Sequence, residues 1–314
     1  MKSTRTIPFS VRFVLLLSTS GFFAMTSLAQ PLEAPDTVQS FPAGHYPQAM
    51  AFDGSNLWIH SANYAEVTKL RASDGALLGT FDSGGYGYGA AYDGENVWLS
   101  NSEPGTVTKL RASDGTIVDS FPVGFELVDV LFDGTNIWVA APGSSNITKL
   151  RPSDGAVLAT IHMGGWPWRL AFDGENIWVV QSTADRVAKV RASDGALLGT
   201  FETGDVAYGI GFDGTSVWVT NYYDNTVTKR LANDGHLLGT FPVGSNPSDV
   251  ASDGRSVWVA NNDNTVMRLR RGGAIEKIYR VEGLPTRILF DGSSIWVSNY
   301  GGNSVTKISR ASRF

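Results

Sequence analysis

The sequence predicts an all-β chain folded as a seven-bladed β-propeller, and three observations carry that prediction. A block of aromatic residue, Asp, Gly, two residues, an aliphatic residue and Trp recurs along the 314-residue chain from Phe52 to Trp296. Its tryptophans are Trp58, Trp98, Trp138, Trp178, Trp218, Trp258 and Trp296, spaced 40 residues apart five times and then 38. Between them a second phrase repeats, and RASDGALLGTF stands identically at 71–81 and 191–201. Each unit of about 40 residues holds four β-rich runs divided by turn residues, which is the repeat of a propeller blade.

In chain order the first element is a leader. Lys2, Arg5 and Arg12 precede an apolar stretch from Phe13 to Met25, and Ser27-Leu28-Ala29 offers the small residues a signal peptidase reads. Residues 1–29 are therefore expected to be a signal peptide, and the mature chain to be exported, periplasmic or secreted. The stretch is too short to span a bilayer, and no later segment holds about 18 consecutive apolar residues, so no membrane span is expected. Losing the three leader cations takes the formal charge from −5 to −8. That balance argues against nucleic acid, which needs a basic face. The chain has no cysteine, which excludes disulfides, thiol catalysis and cysteine-ligated metal.

Residues 30–314 are expected to form one closed domain, although length alone suggests two. Its blades fall near 45–84, 85–124, 125–164, 165–204, 205–244, 245–282 and 283–314, the last completed by 36–44. In each unit the first strand ends in the aromatic-Asp-Gly turn, as at Phe52-Asp53-Gly54, and the second carries the tryptophan, as in NLWIHS. The third is EVTKLR in the first unit, and an SDG turn leads into the fourth, ALLGTF. Asp-Gly between β-rich runs is a hairpin signal, because the tight turns it serves need positive φ. The turn already accounts for the repeated aspartates, so they are not read as metal ligands. The seventh unit ends at VTKISRASRF without a fourth strand, whereas TVQSFPAG at 37–44 matches the fourth-strand phrase TFPVG at 240–244. The N-terminal strand should therefore complete the last blade and remove an exposed edge. The tryptophans are expected to pack between neighbouring sheets. The Lys-x-Arg pairs, such as Lys69/Arg71, are read as solvated strand faces or partners of nearby aspartates.

The phrases WVTN (218–221), WVAN (258–261) and WVSN (296–299), with NTVTK and TFPVG, resemble the repeat of YVTN-type β-propellers. The resemblance covers about residues 36 to 314 and implies the fold, in a superfamily that includes virginiamycin-type lyases and gluconolactonase-like hydrolases. Such propellers serve as enzymes, binding modules and surface proteins, so the fold alone does not assign an activity.

In a repeat protein, what recurs serves the fold and departures from the repeat are site candidates. Two connections vary, from fourth strand to next first strand and from second to third. Because strand direction alternates, both lie on one face, the expected binding face. The first connection contributes Tyr46, Tyr86, Tyr88, Trp166, Trp168 and Tyr208; the second adds Tyr64, Tyr222, Tyr223 and Tyr300. Rings with polar tips suit sugars, peptides and aromatic ligands, and they equally suit a plug that seals the channel mouth. One column of the alignment reads Ala49, Gly89, Asp129, Arg169, Gly209, Asp249 and Arg287 around the ring. It is expected to set inter-blade ion pairs, Asp129 with Arg169 and Asp249 with Arg287, or a polar throat in which Gly89 and Gly209 leave room for ligand.

Catalytic candidates are few. His45 and His60 lie on the variable side of the first blade with Glu66 nearby. The resemblance to lyases implies a His base beside carboxylates that hold magnesium, for which Glu66, Glu103 and Glu126 are available. The leading expectation is an exported binding module for a carbohydrate, peptide or cell-envelope protein, with no cofactor and no metal site. The alternative is a lyase or lactone hydrolase with a divalent metal at the channel mouth.

Overall fold

The computed structural model describes residues 35–311, and the signal peptide assigned to residues 1–29 lies outside them. Seven four-stranded antiparallel sheets follow one another along the chain, as the repeats predict. The first blade runs Pro47–Phe52, Asn56–Ser61, Glu66–Arg71 and Leu77–Asp82, innermost strand first. The seventh combines Pro285–Phe290, Ser294–Asn299 and Ser304–Ser309 with Thr37–Pro42 from the other end of the chain. Thr37 faces Ser309 and Pro42 faces Ser304, so the predicted closure is made by six residue pairs.

The repeated aspartates do more than turn the chain. In the first blade Asp53 Oδ1 accepts from the amides of Ser55 (3.0 Å) and Asn56 (2.7 Å), and Oδ2 accepts from Trp58 Nε1 at 2.9 Å. The indole bond recurs in all seven blades at 2.7–3.0 Å. All seven indoles are buried, and a buried N–H needs an acceptor, which the turn carboxylate five residues earlier supplies. Burial works to raise the Asp53, Asp213 and Asp291 carboxyls, but the indole and amide bonds outweigh it and hold them low.

Each tryptophan fills the gap to the next sheet; Trp58, for example, packs with Val97, Leu99 and Leu110 of the second blade. In every blade but the third, where Ile161 stands instead, it also meets a fourth-strand ring, as Trp58 with Phe81 at 5.5 Å and Trp218 with Phe241 at 5.7 Å. That ring in turn lies over the glycine of the next blade's SDG turn. A Cβ on Gly115 would stand 2.2 Å from Phe81, and Gly115 has φ +76, so the position demands glycine twice over.

The lysines of the Lys-x-Arg pairs are not on solvated faces. Lys149 Nζ lies 5.4 Å from the Trp138 ring centroid and donates to Ala192 O, in the next blade, at 2.7 Å. Lys69, Lys189 and Lys307 repeat this with Ala112, Ala232 and Ala72. Neighbouring sheets cover both faces of a blade, so alternation along the strand does not mean alternation between core and water. The arginines do pair with turn aspartates as expected, Arg71 with Asp74 at 3.0 Å, both half-exposed. Lys149→Met is therefore expected to cost about 1–2 kcal/mol, the sum of a cation–π contact and a buried hydrogen bond. Arg151→Met should cost less than about 0.5 kcal/mol. Guanidinium unfolding of the two variants checks the order.

At the closure the outer turn of the seventh blade is replaced by Asp36. Its carboxylate accepts from Tyr279 Oη (2.6 Å), Lys277 Nζ (2.7 Å), Arg268 Nη1 (3.3 Å) and the Ala311 amide (3.0 Å). Tyr279 occupies the place that Phe81 or Phe241 takes elsewhere. Its hydroxyl serves the one seam among the described residues where no turn glycine lies beneath the ring.

Candidate functional site

The aromatic residues of the loop face divide into two sets. Tyr88, Trp168 and Tyr208 sit at the start of innermost strands and are partly buried; Tyr88 and Trp168 pack onto the core between the third and fourth blades. From them rings run outward, Trp168–Tyr208 at 5.5 Å, Tyr208–Tyr222 at 5.4 Å and Tyr222–Tyr223 at 5.2 Å. Tyr223 ends this series 63% exposed, and Trp166 stands 48% exposed on the same loops. A second group joins Tyr46 to Tyr300 (5.0 Å) and to Tyr64 (6.2 Å), across the seam between the seventh and first blades. Tyr86 is bridged through its backbone to Glu103 instead. Inner rings thus pack on the innermost strands while outer rings face water. Burial raises the Tyr88 and Tyr208 hydroxyls above the ordinary phenol range, which keeps both neutral donors.

Beneath the inner rings stands the charged throat. Asp129 Oδ1 accepts from Arg287 Nη2 at 2.5 Å, and its Oδ2 accepts from the Leu170 amide at 2.9 Å. Arg287 belongs to the seventh blade and Asp129 to the third, so this bond crosses the channel and bars the bore. The pairs predicted between neighbours are looser, Arg169 to Asp129 at 3.7 Å and Arg287 to Asp249 at 3.8 Å. Arg169 is buried and donates through Nη1 to the carbonyls of Tyr88 (3.1 Å) and Val128 (3.2 Å). Burial and the neighbouring Arg287 charge lower the Arg169 guanidinium's pKa, whereas for Arg287 the fields of Asp129 and Asp249 outweigh burial and raise it.

Gly89 and Gly209 do not make room for a ligand. A Cβ on Gly89 would lie 2.6 Å from Val130 N, and one on Gly209 2.6 Å from Asp249 Cα. Their missing side chains let adjacent innermost strands approach, which is a packing requirement.

A feature that sequence reading missed lies on the other side of the throat. A cavity of about 580 Å³ opens toward the Asp-Gly turns. One aliphatic side chain per blade walls it, from Met50 and Ala90 through Leu170 and Ile210 to Ile288, and Phe52, Phe132 and Phe212 stand at its mouth. In the sequence these positions look like ordinary core; only their register, one residue past the charged column, marks them as lumen.

The catalytic candidates do not converge. His60 is fully buried, with Nε2 3.1 Å from Gly85 O and Nδ1 3.4 Å from Gly89 O. Burial pushes its pKa down to about 4, so it is a neutral brace between the first two blades. Its ring signals are expected not to titrate between pH 5 and 8, which NMR of the histidine ring protons checks. His45 is exposed, with Nδ1 3.3 Å from Glu66 Oε1, and the same oxygen accepts from the His45 amide. Glu103 lies by Tyr86 and Glu126 by Gly143, apart from that pair. Among the described residues no three His, Asp or Glu side chains are grouped to hold a metal ion.

Innermost strands around a barred channel and four outward-stacked strands per blade define the class, a seven-bladed β-propeller. Solved structures agree with that fold. A streptogramin B lyase structure aligns with TM-score 0.75 at 15% identity, over 88% of this chain and 98% of that one. Hydrazine synthase of Kuenenia stuttgartiensis aligns with TM-score 0.77 at 16% identity, over 85% and 96%. BamB from Moraxella catarrhalis aligns with TM-score 0.62 at 15% identity, over 84% and 85%. At such identities the likeness speaks for the fold alone. The sequence matches no family model and no curated protein.

Proposed function

We propose that this chain is an exported binding module that takes a carbohydrate or peptide, the latter from a cell-envelope protein, on the loop face of its propeller. The observation that supports this reading is the division of the aromatic residues into partly buried and exposed sets. Tyr223 and Trp166 present their faces to water, and Tyr223 is held in place by a neighbouring ring. Rings fixed in this way give contact area at low entropy cost, and phenol tips add hydrogen bonding, a combination suited to sugar rings and extended peptides. The bar across the bore makes the face a surface and not the entrance to a passage. Export is supported by the charged, apolar and small-residue order of residues 1–29.

A glycan and peptide binding screen of the purified chain tests the reading. The double variant Trp166→Ala/Tyr223→Ala should weaken any ligand found by roughly ten-fold or more, with its melting temperature little changed. Unaltered affinity in that variant would remove the aromatic face from the account. One contact favours a second reading, a metal-dependent lyase or lactone hydrolase: His45 and Glu66 meet at 3.3 Å on the same face. A thermal shift by magnesium that Glu66→Gln abolishes would carry that alternative.

A further inference from the structure

We infer a second ligand site at the opposite end of the channel: the cavity beneath the charged throat takes a small organic ammonium with an apolar body. Its volume, about 580 Å³, lies within the range of small-molecule sites. The walls are aliphatic and the mouth carries phenylalanines. The floor consists of Asp129, Asp249 and Arg287, while Arg169 is not among the lining residues. Two carboxylates therefore face the lumen against one guanidinium.

The balance of charge on the lumen floor decides the sign of the ligand. Arg287 is bonded to Asp129 at 2.5 Å, and Asp129 is further satisfied by the Leu170 amide. Arg169 directs Nη1 to two backbone carbonyls, and its Nε and Nη2, which have no hydrogen-bond partner, are buried outside the lumen lining. Asp249 is the more loosely held carboxylate, its side chain 5% exposed and its Oδ2 accepting from the Ile288 amide at 3.0 Å. Its nearest cationic nitrogen, Arg287 Nη1, stands at 3.8 Å, beyond hydrogen-bond distance. A buried carboxylate held by so loose an ion pair is costly, and burial outweighs the fields of Arg287 and Arg169 and pushes the Asp249 carboxyl up. An ammonium group supplies a closer charge and further N–H donors. Its apolar body covers the aliphatic walls, and the aromatic faces at the mouth attract cations. An anion would meet two carboxylates and a guanidinium already paired.

Isothermal titration of the purified chain with phenethylammonium tests this, with 2-phenylethanol, 3-phenylpropanoate and ammonium chloride as counterparts. Phenethylammonium is expected to bind saturably, and each counterpart at least about ten-fold more weakly. Asp249→Asn keeps the acceptor for Ile288 and should weaken binding by about thirty-fold or more. Ala90→Phe fills the lumen without touching the charges and should abolish binding. The Trp166→Ala/Tyr223→Ala variant should bind the probe unchanged, which separates this site from the loop face. The inference is overturned by equal binding of the alcohol or of ammonium alone, by preference for the propanoate, or by absence of phenethylammonium binding. Retention of the probe in both cavity variants, or its loss in the loop-face variant, overturns it as well.

Discussion

A chain that starts at Ala43, and so lacks Asp36 and the Thr37–Pro42 strand, is expected to lose its cooperative unfolding transition. Three contributions disappear together. Six residue pairs with Ser304–Ser309 are lost, leaving that strand as a bare edge. Phe41 no longer packs on Trp296 at 5.7 Å, nor over Gly75 of the first blade, where a Cβ would lie 2.1 Å from its ring. The four donors gathered by Asp36 are released. Deleting a fully buried Phe costs about 3–5 kcal/mol, of which the partly buried Phe41 forfeits a share, and hydrogen bonds to a charged group contribute about 1.5–3 kcal/mol each. Against a typical domain stability of 5–15 kcal/mol the ring would not stay closed. Tryptophan fluorescence in guanidinium should show an early, broadened transition; a sharp one near the parent midpoint would disprove the seam's importance.

The single variant Asp36→Asn isolates the charge. Burial works to raise the Asp36 carboxyl, but the bonds from Lys277, Tyr279 and Ala311 and the Lys277 charge outweigh it, so its folded pKa is depressed. A depressed carboxyl contributes stability that is complete above its unfolded pKa of about 3.9 and is lost as pH falls toward the folded value. The gap between parent and Asp36→Asn should accordingly be constant from pH 5 to 7 and narrow below about pH 4.

Arg287→Met is the second large effect. It leaves Asp129, 2% exposed, with no cation closer than Arg169 at 3.7 Å, and removes the nearest cation from Asp249. Breaking a buried pair from one side costs about 3–5 kcal/mol. Arg169→Met should cost less, because Asp129 keeps Arg287 and the loss falls on two bonds to carbonyls. The order of the two melting temperatures is the check: Arg287→Met must lie below Arg169→Met.

The architecture was legible because a blade is written in local signals. Asp53-Gly54, the tryptophan five residues past the aspartate, and the orphan TVQSFPAG segment each state a turn, a core residue and a seam. What stayed hidden depends on neighbours that the sequence does not order. Lys149 reads as a surface residue until the next sheet covers it and Ala192 O meets its ammonium. The column Asp129, Arg169, Asp249, Arg287 announced charge in the channel, yet pairing by adjacency missed the bond from Arg287 across to Asp129. His60 looked accessible by its place near a loop, and only the fold puts it between two carbonyls. The cavity needed closure of the ring before its aliphatic walls could be told from core.

The seam also bears on the order in which the molecule is made. Blades one to six each form from contiguous chain, whereas Thr37–Pro42 pairs with strand residues 262 to 272 positions later. At about 5–20 residues per second, a ribosome needs roughly 15 to 55 seconds to deliver that partner. Through that interval Thr37–Pro42 is a strand without its partner, with Phe41 uncovered and its backbone open to wrong pairing. A circular permutant joining Ser309 to Thr37, cut at another blade's Asp-Gly turn, would build this blade at once and shift the wait to a different strand.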